Sequence, residues 1–192
     1  TMIKTKNELK EFIERDKLAT GRTKINAHFF GDEIWKFQLA MRHLDYYCYR
    51  FSKNKLFLIP YFYYKMRYHN LSLKLGFSIP FNAFDKGLSL PHYGTIVINN
   101  SSQFGENCRI HTCVNIGASG GSKRSPIIGN NVYIGPGAKL VGDISIADGV
   151  CIGAGALVVK SIEEPNTTWG GCPAKKISDN SSREHLSPLL FK

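Results

Sequence analysis

The stretch that decides the fold is residues 128–163, which read IGNNVY-IGPGAK-LVGDIS-IADGVC-IGAGAL-VVKSIE. The six hexads follow one another without a gap, and each begins with Ile, Leu or Val. The fifth position is always Val, Ala or Ile, while Gly, Asn and Asp fill many positions between. A six-residue period fits neither the alternation of a strand nor the 3.6-residue period of a helix. It predicts short strands joined by tight corners, with the first and fifth positions pointing inward.

The hexads predict a coil with three flat sides. Three hexads close one triangular turn of about 18 residues, and because one turn cannot bury its own apolar face, several must stack. Phe84 and Leu88 fit an early hexad. The same register then places the following residues inward: Ile98, Ser102, Phe104, Cys108, Ile110, Val114 and Ile116.

Two insertions interrupt this register. Residues 90–97 read LPHYGTIV, which is two residues longer than a hexad. If Leu90 and Ile96 point inward, the extra residues project His92 outward at a bulged corner. The second insertion, residues 118–127, is rich in Gly and Ser and carries Lys123 and Arg124 near its end. It predicts a mobile functional arm, with a tolerated surface insertion as the alternative.

The first 75 residues lack hexads and predict three helices. Residues 5–8 (TKNE) form a capping box ahead of a helix that ends near residue 18. Asp32 is expected to cap a second helix, and a third helical stretch follows at residues 56–75. This third stretch is rich in aromatic and basic side chains. It is expected to pack against its neighbours and cap the first turn of the coil, with contact at a membrane surface as the alternative.

These patterns predict three regions: an α-helical N-terminal region (1–75), a β-helical domain (76–178) and a C-terminal tail (179–192). The net charge of +10 is uneven, with 15 Lys/Arg against 7 Asp/Glu in residues 1–75 and 10 against 8 in the rest. A basic first part suits a nucleic acid, an anionic membrane, an anionic substrate or simply a solvated surface. No nucleic-acid-binding motif accompanies the charge, so no nucleic-acid partner is expected.

Composition also predicts the compartment. The five cysteines are an odd number without a CxxC pair, which favours buried reduced thiols over disulfides or a zinc site. There is no signal peptide and no apolar run of membrane-spanning length. A cytoplasmic protein is therefore expected, with peripheral contact at the inner face of the membrane, through residues 56–75, as the further hypothesis.

Two of the six histidines, His92 and His111, lie in the repeats, one coil apart. Transfer of an acyl group from a thioester to a hydroxyl needs a general base, and histidine suits this role because its pKa lies near the working pH. The run LPHYGTIVI, followed by IHTCVNIG and the Gly-rich loop, resembles the catalytic segment of serine acetyltransferases and related exopolysaccharide O-acetyltransferases. This resemblance to hexapeptide-repeat acyltransferases implies a left-handed parallel β-helix and His92 as the catalytic base.

The resemblance also implies acetyl-CoA as the acyl donor, no metal cofactor, and a homotrimer with active sites between subunits. The pantetheine arm would pass the small residues Gly135, Pro136 and Ala154. Lys160 and Lys175 match positions that meet the nucleotide end of coenzyme A. Backbone N–H groups near Gly117 would stabilise the transition-state oxyanion.

The sequence predicts the acceptor less directly than it predicts the base and the acyl donor. Asp85, His111 and Arg124 are the substrate-binding candidates. The paired histidines also suggest zinc as an alternative, but the sequence shows no third ligand with suitable spacing. The chain departs from serine acetyltransferases where Pro91 replaces an acidic residue and Ser125 replaces a histidine. These departures favour a sugar hydroxyl in surface-polysaccharide biosynthesis as the acceptor. The alternatives are a serine O-acetyltransferase of cysteine biosynthesis and a non-catalytic hexapeptide scaffold.

Overall fold

The computed structural model describes residues 2–192 of the chain. Three α-helices come first: α1 (Lys6–Ala19), α2 (Glu33–Lys53) and α3 (Leu58–Leu75). Short strands follow: β1 (Phe77–Ser78), β2 (Ile96–Ile98), β3 (Gln103–Phe104), β4 (Arg109–Ile110), β5 (Asn115–Gly117), β6 (Ile127–Ile128), β7 (Tyr133–Ile134), β8 (Lys139–Val141), β9 (Ser145–Ile146), β10 (Cys151–Ile152), β11 (Leu157–Val158), β12 (Thr168–Gly170) and β13 (Lys175–Ser178). Three 3-10 helices complete the described elements: Lys55–Phe57, Ser182–His185 and Pro188–Phe191.

The strands form the three sides of a coil. The first side has the order β1-β2-β5-β8-β11, the second β3-β6-β9, and the third β13-β12-β10-β7-β4. The chain visits the first, second and third sides in turn, and the pairings between successive turns are parallel. The predicted three-sided coil is therefore confirmed. We name its corners edge 1/2, edge 2/3 and edge 3/1 after the sides that they join.

The pairing register shows where the insertions lie. Tyr133 pairs with Cys151, 18 residues later, which is the regular spacing of one turn. Ser89 is bridged to Arg109, a spacing of 20, so two extra residues lie at edge 3/1 of the first turn. Asn115 pairs with Lys139, a spacing of 24, so the loop of residues 118–126 adds about one hexad at edge 1/2. Both insertions leave the side-chain alternation of the strands intact.

The core fills the interior of the coil. All twelve inward positions of residues 128–163 are buried, and none is more than 7% exposed. The earlier inward positions are buried as well. Phe37 and Met41 of α2 join the same cluster and cover the first turn. The division of the chain at residues 75 and 178 stays a prediction, but α2 and α3 contribute buried residues to the hydrophobic cluster of the coil, whereas α1 packs in a separate cluster.

The helical region corrects one predicted helix start and one predicted capping contact. Thr5 caps α1 through the predicted capping box. Asp32 is the N-cap residue of α2, as predicted, but its side chain makes no capping hydrogen bond: its φ is 58° and its carboxylate instead accepts hydrogen bonds from the Arg22 guanidinium at 2.9 and 2.7 Å. The third helix begins two residues later than predicted, at Leu58, because Lys55–Phe57 forms a 3-10 turn.

The C-terminal tail folds back onto the coil. The backbone N–H of Ser182 donates to the Gly149 carbonyl at 2.9 Å. Leu186 and Leu190 are buried against Ala19 at the end of α1. The tail thus connects α1 to the third side of the coil.

The structure also bears on two further predictions, which concern membrane-spanning segments and the cysteines. Within residues 2–192, no helix combines the length and apolar character that a bilayer crossing requires. All five cysteines are unpaired, but burial was predicted wrongly for two of them: Cys113 and Cys172 are exposed. Cys113 lies at edge 3/1 with a φ of 61°, where the side chain points out of the coil.

Candidate functional site

The two-residue insertion at edge 3/1 places His92 on the surface, as predicted. Leu90 and Ile96 are buried on either side of it and anchor the insertion in the core. Gly94 has a φ of +128° and donates its N–H to the Leu75 carbonyl at 3.0 Å. Because L side chains rarely adopt this φ, glycine is what allows the chain to turn back after His92. The His92 imidazole is exposed to solvent.

His92 begins a row of rings on this face of the coil. Its ring centroid lies 5.7 Å from that of His111, which lies 5.2 Å from Tyr133. Tyr133 stacks on His185 at 4.6 Å. Partial burial, together with the positive charge of Arg109, lowers the pKa of His111, which favours its neutral form. His185 was not a candidate, since only docking of the tail brings it here.

Three of the residues expected to contact coenzyme A lie on the same edge as His92. Pro136 and Ala154 are exposed at edge 3/1 in successive turns, and Gly155 donates its N–H to the Pro136 carbonyl at 2.8 Å. Gly135 is buried, and a Cβ there would lie 2.8 Å from the Ala154 nitrogen. Stacking of the next turn is therefore a sufficient reason for glycine at position 135.

The other candidates lie elsewhere in the single chain. Gly117, Arg124 and Lys160 follow or end strands of the first side and lie at edge 1/2, where Arg124 forms an ion pair with Asp143 at 3.0 Å. Asp85 lies at edge 2/3, and its carbonyl accepts a hydrogen bond from Arg42 at 2.7 Å. One chain therefore brings His111, but not Asp85 or Arg124, next to His92.

Lys175 begins β13 and is exposed. The strand pairs antiparallel with β12 at the last turn, where Gly170 is opposite Lys175. Across residues 2–192, the structure has no cluster of three or more His, Cys, Asp or Glu side chains that could hold a metal ion.

A cavity of about 440 Å³ opens beside His92, between the helices and the first turn. Pro91 and Tyr93, the residues on either side of His92, contribute to its wall. The remaining lining residues include Arg22, Trp35, Gln38 and Arg109. These four residues were not predicted from the sequence. Two signals were available: Arg109 is an outward residue before an inward Ile, and Gln38 lies on the apolar face of α2.

The sequence of the coil matches a known family. Residues 125–160 match the family described as "Bacterial transferase hexapeptide (six repeats)". The serine acetyltransferase of Buchnera aphidicola subsp. Schizaphis graminum is 40% identical over 101 residues, which cover 51% of this chain and 38% of that protein. The chain spans roughly a third to a half of the length of the curated relatives that it matches.

Solved structures show the same architecture over most of the chain. The serine acetyltransferase of Neisseria gonorrhoeae in complex with serine has 26% identity and a TM-score of 0.60, covering 88% of this chain and 69% of that one. The Brucella abortus strain S19 enzyme in complex with coenzyme A has 25% identity and a TM-score of 0.63, covering 92% and 70%.

In its three-sided coil the chain resembles the hexapeptide-repeat transferases, whose family model matches residues 125–160. Within that class it resembles serine acetyltransferases. The hypothesis of a sugar acceptor in polysaccharide biosynthesis is wrong, because the matched relatives are serine acetyltransferases. It had relied on the departures at Pro91 and Ser125, but Asp32 and Glu33 of the helical region line the cavity beside Pro91 and supply acidic groups there.

Proposed function

We propose that the protein is an enzyme that transfers the acetyl group of acetyl-CoA to the hydroxyl of L-serine. The observation that carries this proposal is the exposed His92 imidazole, which a two-residue insertion holds outside a coil that resembles serine acetyltransferases. A general base must be fixed in position and accessible to the substrate. The insertion meets both requirements, because its flanking residues are buried and its imidazole is exposed. The left-handed sense of the coil is part of the same proposal, since the resemblance implies it.

In the proposed reaction His92 acts as the general base. Its neutral imidazole accepts the proton of the serine hydroxyl while the oxygen attacks the thioester carbonyl carbon. The tetrahedral intermediate then collapses, the C–S bond breaks, and the proton on His92 passes to the departing CoA sulfur. O-acetylserine and free CoA are the products, and His92 returns to its neutral form. The lowered pKa of His111 favours its neutral form. In that form His111 adds no second positive charge next to His92.

The donor is proposed to lie along edge 3/1, below His92. Pro136 and Ala154 leave a shallow surface there in successive turns, which suits a thin pantetheine arm. Lys175, exposed at the last turn, would meet the phosphates. Gly135 contributes to this surface through the close stacking of its turn rather than by direct contact.

We propose a homotrimer, because the remaining candidates lie on different edges of one chain. A groove between two copies would set edge 3/1 of one beside edge 1/2 of the other. Gly117, Arg124 and Lys160 of one copy would then complete the site around His92 of its neighbour. Asp85, at edge 2/3, is the substrate-binding candidate that this arrangement supports least. A sedimentation mass of a single chain would rule the shared site out.

Release of free CoA thiol from acetyl-CoA, with and without L-serine, tests the proposed reaction. Serine-dependent release that is lost in His92→Ala supports it. Release that is independent of serine, or unchanged in His92→Ala, contradicts it. Sedimentation of both proteins under the same conditions shows whether the variant keeps the assembly of the parent.

A cytoplasmic location stays a prediction, and so does peripheral membrane contact through residues 56–75. One face of α3 stacks on α2, where Tyr61 meets Phe51 with ring centroids 5.0 Å apart. The opposite face is exposed: Ile59 is 80% and Met66 58% accessible. Residues 51–76 contain five Lys/Arg and no Asp/Glu. An exposed apolar face with basic flanks is the pattern of a helix that lies on an anionic membrane.

A further inference from the structure

The His92 side chain is held by one neighbouring ring. Across residues 2–192, its imidazole takes part in no hydrogen bond or ion pair, and its ring contact is with His111, at a centroid distance of 5.7 Å and an interplanar angle of 52°. A general base works only when its ring is oriented towards the proton that it accepts, and a third group commonly provides that orientation. Because Pro91 stands where the resemblance places an acidic residue, His111 is the described side chain that can orient His92.

His111 is itself anchored by the coil. Its backbone N–H donates to the Ile134 carbonyl at 3.0 Å, and the preceding residue, Ile110, is completely buried. Tyr133 lies on the next turn, and its ring contacts that of His111 at a centroid distance of 5.2 Å. The Tyr133 backbone N–H donates to the Val150 carbonyl at 3.1 Å. Two successive turns of the coil therefore hold these two rings against each other.

The C-terminal tail completes the row of rings with His185. Three residues before it, the Ser182 N–H donates to the Gly149 carbonyl of the coil at 2.9 Å. One residue after it, Leu186 is buried against the end of α1. His185 is thus fixed between two anchors, and its ring stacks on Tyr133 with a centroid distance of 4.6 Å and an interplanar angle of 30°.

The tail and the coil enclose a cavity of about 470 Å³ next to this row. It is lined by ring-bearing and charged side chains: His111, Tyr133, His185, Arg109 and Glu184. Burial lowers the pKa of His111, and the positive charge of Arg109 adds to this effect. In its neutral form His111 packs against His92 without opposing the positive charge that His92 takes up when it accepts a proton.

We propose that the C-terminal tail is part of the active site and that His111, Tyr133 and His185 are positioning residues for His92. The three ring contacts follow one another from the tail to the base, and all three centroid distances lie in the range of about 4.5–7 Å at which aromatic rings attract. Because such pairs prefer particular geometries, each ring limits the orientation of the next. The proposal rests on the proposed role of His92 as the base, and it adds a route by which docking of the tail affects the reaction.

Replacing the rings separates positioning from other roles of these residues. His185→Phe keeps a ring on Tyr133 but cannot take up a proton, whereas His185→Ala removes the ring. His111→Phe and His111→Ala form the second pair. Arg183→Ala is the matched control in the tail, because its guanidinium lies outside the row, 4.7 Å from the centroid of the Phe191 ring. Serine-dependent CoA release by the full chain gives kcat and KM, and urea denaturation gives the stability of each variant.

We expect His111→Ala to lower kcat about tenfold, since a base that is free to turn loses its alignment with the reacting hydroxyl. His185→Ala, two contacts further from the base, should lower kcat about threefold. The two Phe variants and Arg183→Ala should stay within about twofold of the parent, because they leave the row of rings complete. KM for serine and KM for acetyl-CoA should change by less than about twofold in every variant, since positioning of the base acts on the transition state.

NMR of histidine labelled with ¹³C at Cε1 gives a readout that does not depend on activity. The signal of His92 is assigned by its absence from His92→Ala. Because His185 contacts Tyr133 rather than His92, a shift of the His92 signal in His185→Ala reports a movement transmitted along the row. The same signal should stay in place in His185→Phe and in Arg183→Ala.

The outcomes separate the tail from the reaction. If serine is acetylated but His185→Ala keeps both the parent kcat and the parent His92 signal, the tail has no positioning role and the proposed function stands. If the His92 signal moves in His185→Ala but serine is not acetylated, the row positions His92 and the proposed function is wrong. If the signal stays in place and serine is not acetylated, both proposals are wrong.

Two further results would overturn the positioning role alone. A raised KM for serine in His111→Ala, with kcat kept, would make His111 a contact of the acceptor. A loss of kcat in His185→Phe as large as that in His185→Ala would show that the ring contact is not what the base requires. If His111→Ala fails to fold, the two variants of His185 still decide the question.

Discussion

Asp16 of α1 and Arg42 of α2 form an ion pair with an N–O distance of 2.8 Å, and each side chain is only 1% exposed. The pair also joins the helices to the coil. Asp16 accepts the backbone N–H groups of Gly87 and Leu88 at 2.8 and 2.9 Å, and Arg42 donates to the Phe84 carbonyl at 2.8 Å. Because these bonds satisfy both charges, the pair sets how the helical region sits on the first turn.

Removing one member of this pair should be costly. Asp16→Ala leaves the Arg42 guanidinium buried and unpaired, and we expect a loss of about 3–5 kcal/mol in the free energy of unfolding. Urea denaturation measures it. Asp143→Ala is the matched control, because its pair with Arg124 is exposed and should contribute at most about 1 kcal/mol. Equal losses in the two variants would contradict the structural role of the buried pair.

Asp45 should make the protein less stable as the pH rises. Burial raises the pKa of its carboxyl to about 6, although the Ile3 N–H donates to it at 3.0 Å. The folded state therefore holds a proton more tightly than the unfolded chain. The stability linked to this proton is fully present below the ordinary pKa of 3.8 and is lost as the pH passes through about 6.

Asp45→Asn should remove that loss. We expect the variant to exceed the parent in unfolding free energy at pH 8 by up to roughly 3 kcal/mol, the equivalent of the pKa shift. At pH 3.5 the two proteins should differ little. Urea titrations across this pH range measure the difference, and parallel stability curves for both proteins would show that Asp45 is not the group responsible.

Substitution of Gly135 should affect the stacking of the turns. A Cβ at this position would lie 2.8 Å from the Ala154 nitrogen and 2.9 Å from the Gly153 carbonyl carbon. Gly135→Ala should therefore cost about 1–3 kcal/mol in stability, as overpacking usually does. Gly117→Ala is the control, since the Cβ there would meet only Asn115 Oδ1 at 3.7 Å. Thermal unfolding of the two variants decides whether stacking requires glycine at 135.

Loss of the His92 imidazole should remove catalysis but not the fold. General-base catalysis is typically worth about 10²–10⁴-fold, so His92→Ala should lower kcat by that order. His69→Ala, an exposed histidine on α3, is the matched control and should retain the parent rate. His92→Ala with the parent rate would remove the imidazole from the mechanism.

The exposed face of α3 should bind anionic vesicles. Ile59 and Phe62 are 80% and 50% exposed on a segment without acidic residues. We expect the protein to sediment with vesicles containing phosphatidylserine, less so at high salt, and an Ile59→Ser, Phe62→Ser variant to stay in solution. Ile177→Ser, at an exposed isoleucine on β13, should sediment like the parent. No sedimentation of the parent protein would remove membrane contact from consideration.

The repeats were predictable because their signal is local. Each inward position recurs at a fixed distance along the chain, so burial of Val132, Ile134 and the other inward residues could be read directly from the hexads. The exposure of His92 followed from counting residues in one insertion. The position of Asp32 ahead of α2 was predicted correctly, but its side-chain cap was not formed, because the Arg22 side chain from another part of the loop binds its carboxylate.

The sequence by itself thus determined the coil, its core and the outward position of His92, since these depend on spacing within a hexad. Only the tertiary structure decided which side chains meet around that histidine. Gln38 and Arg109 are 71 positions apart in the chain, and they line one cavity because the Asp16–Arg42 pair seats the helices against the first turn. Such contacts depend on how two elements pack against each other. The sequence pattern within one element does not predict which side chains of the other element it will contact.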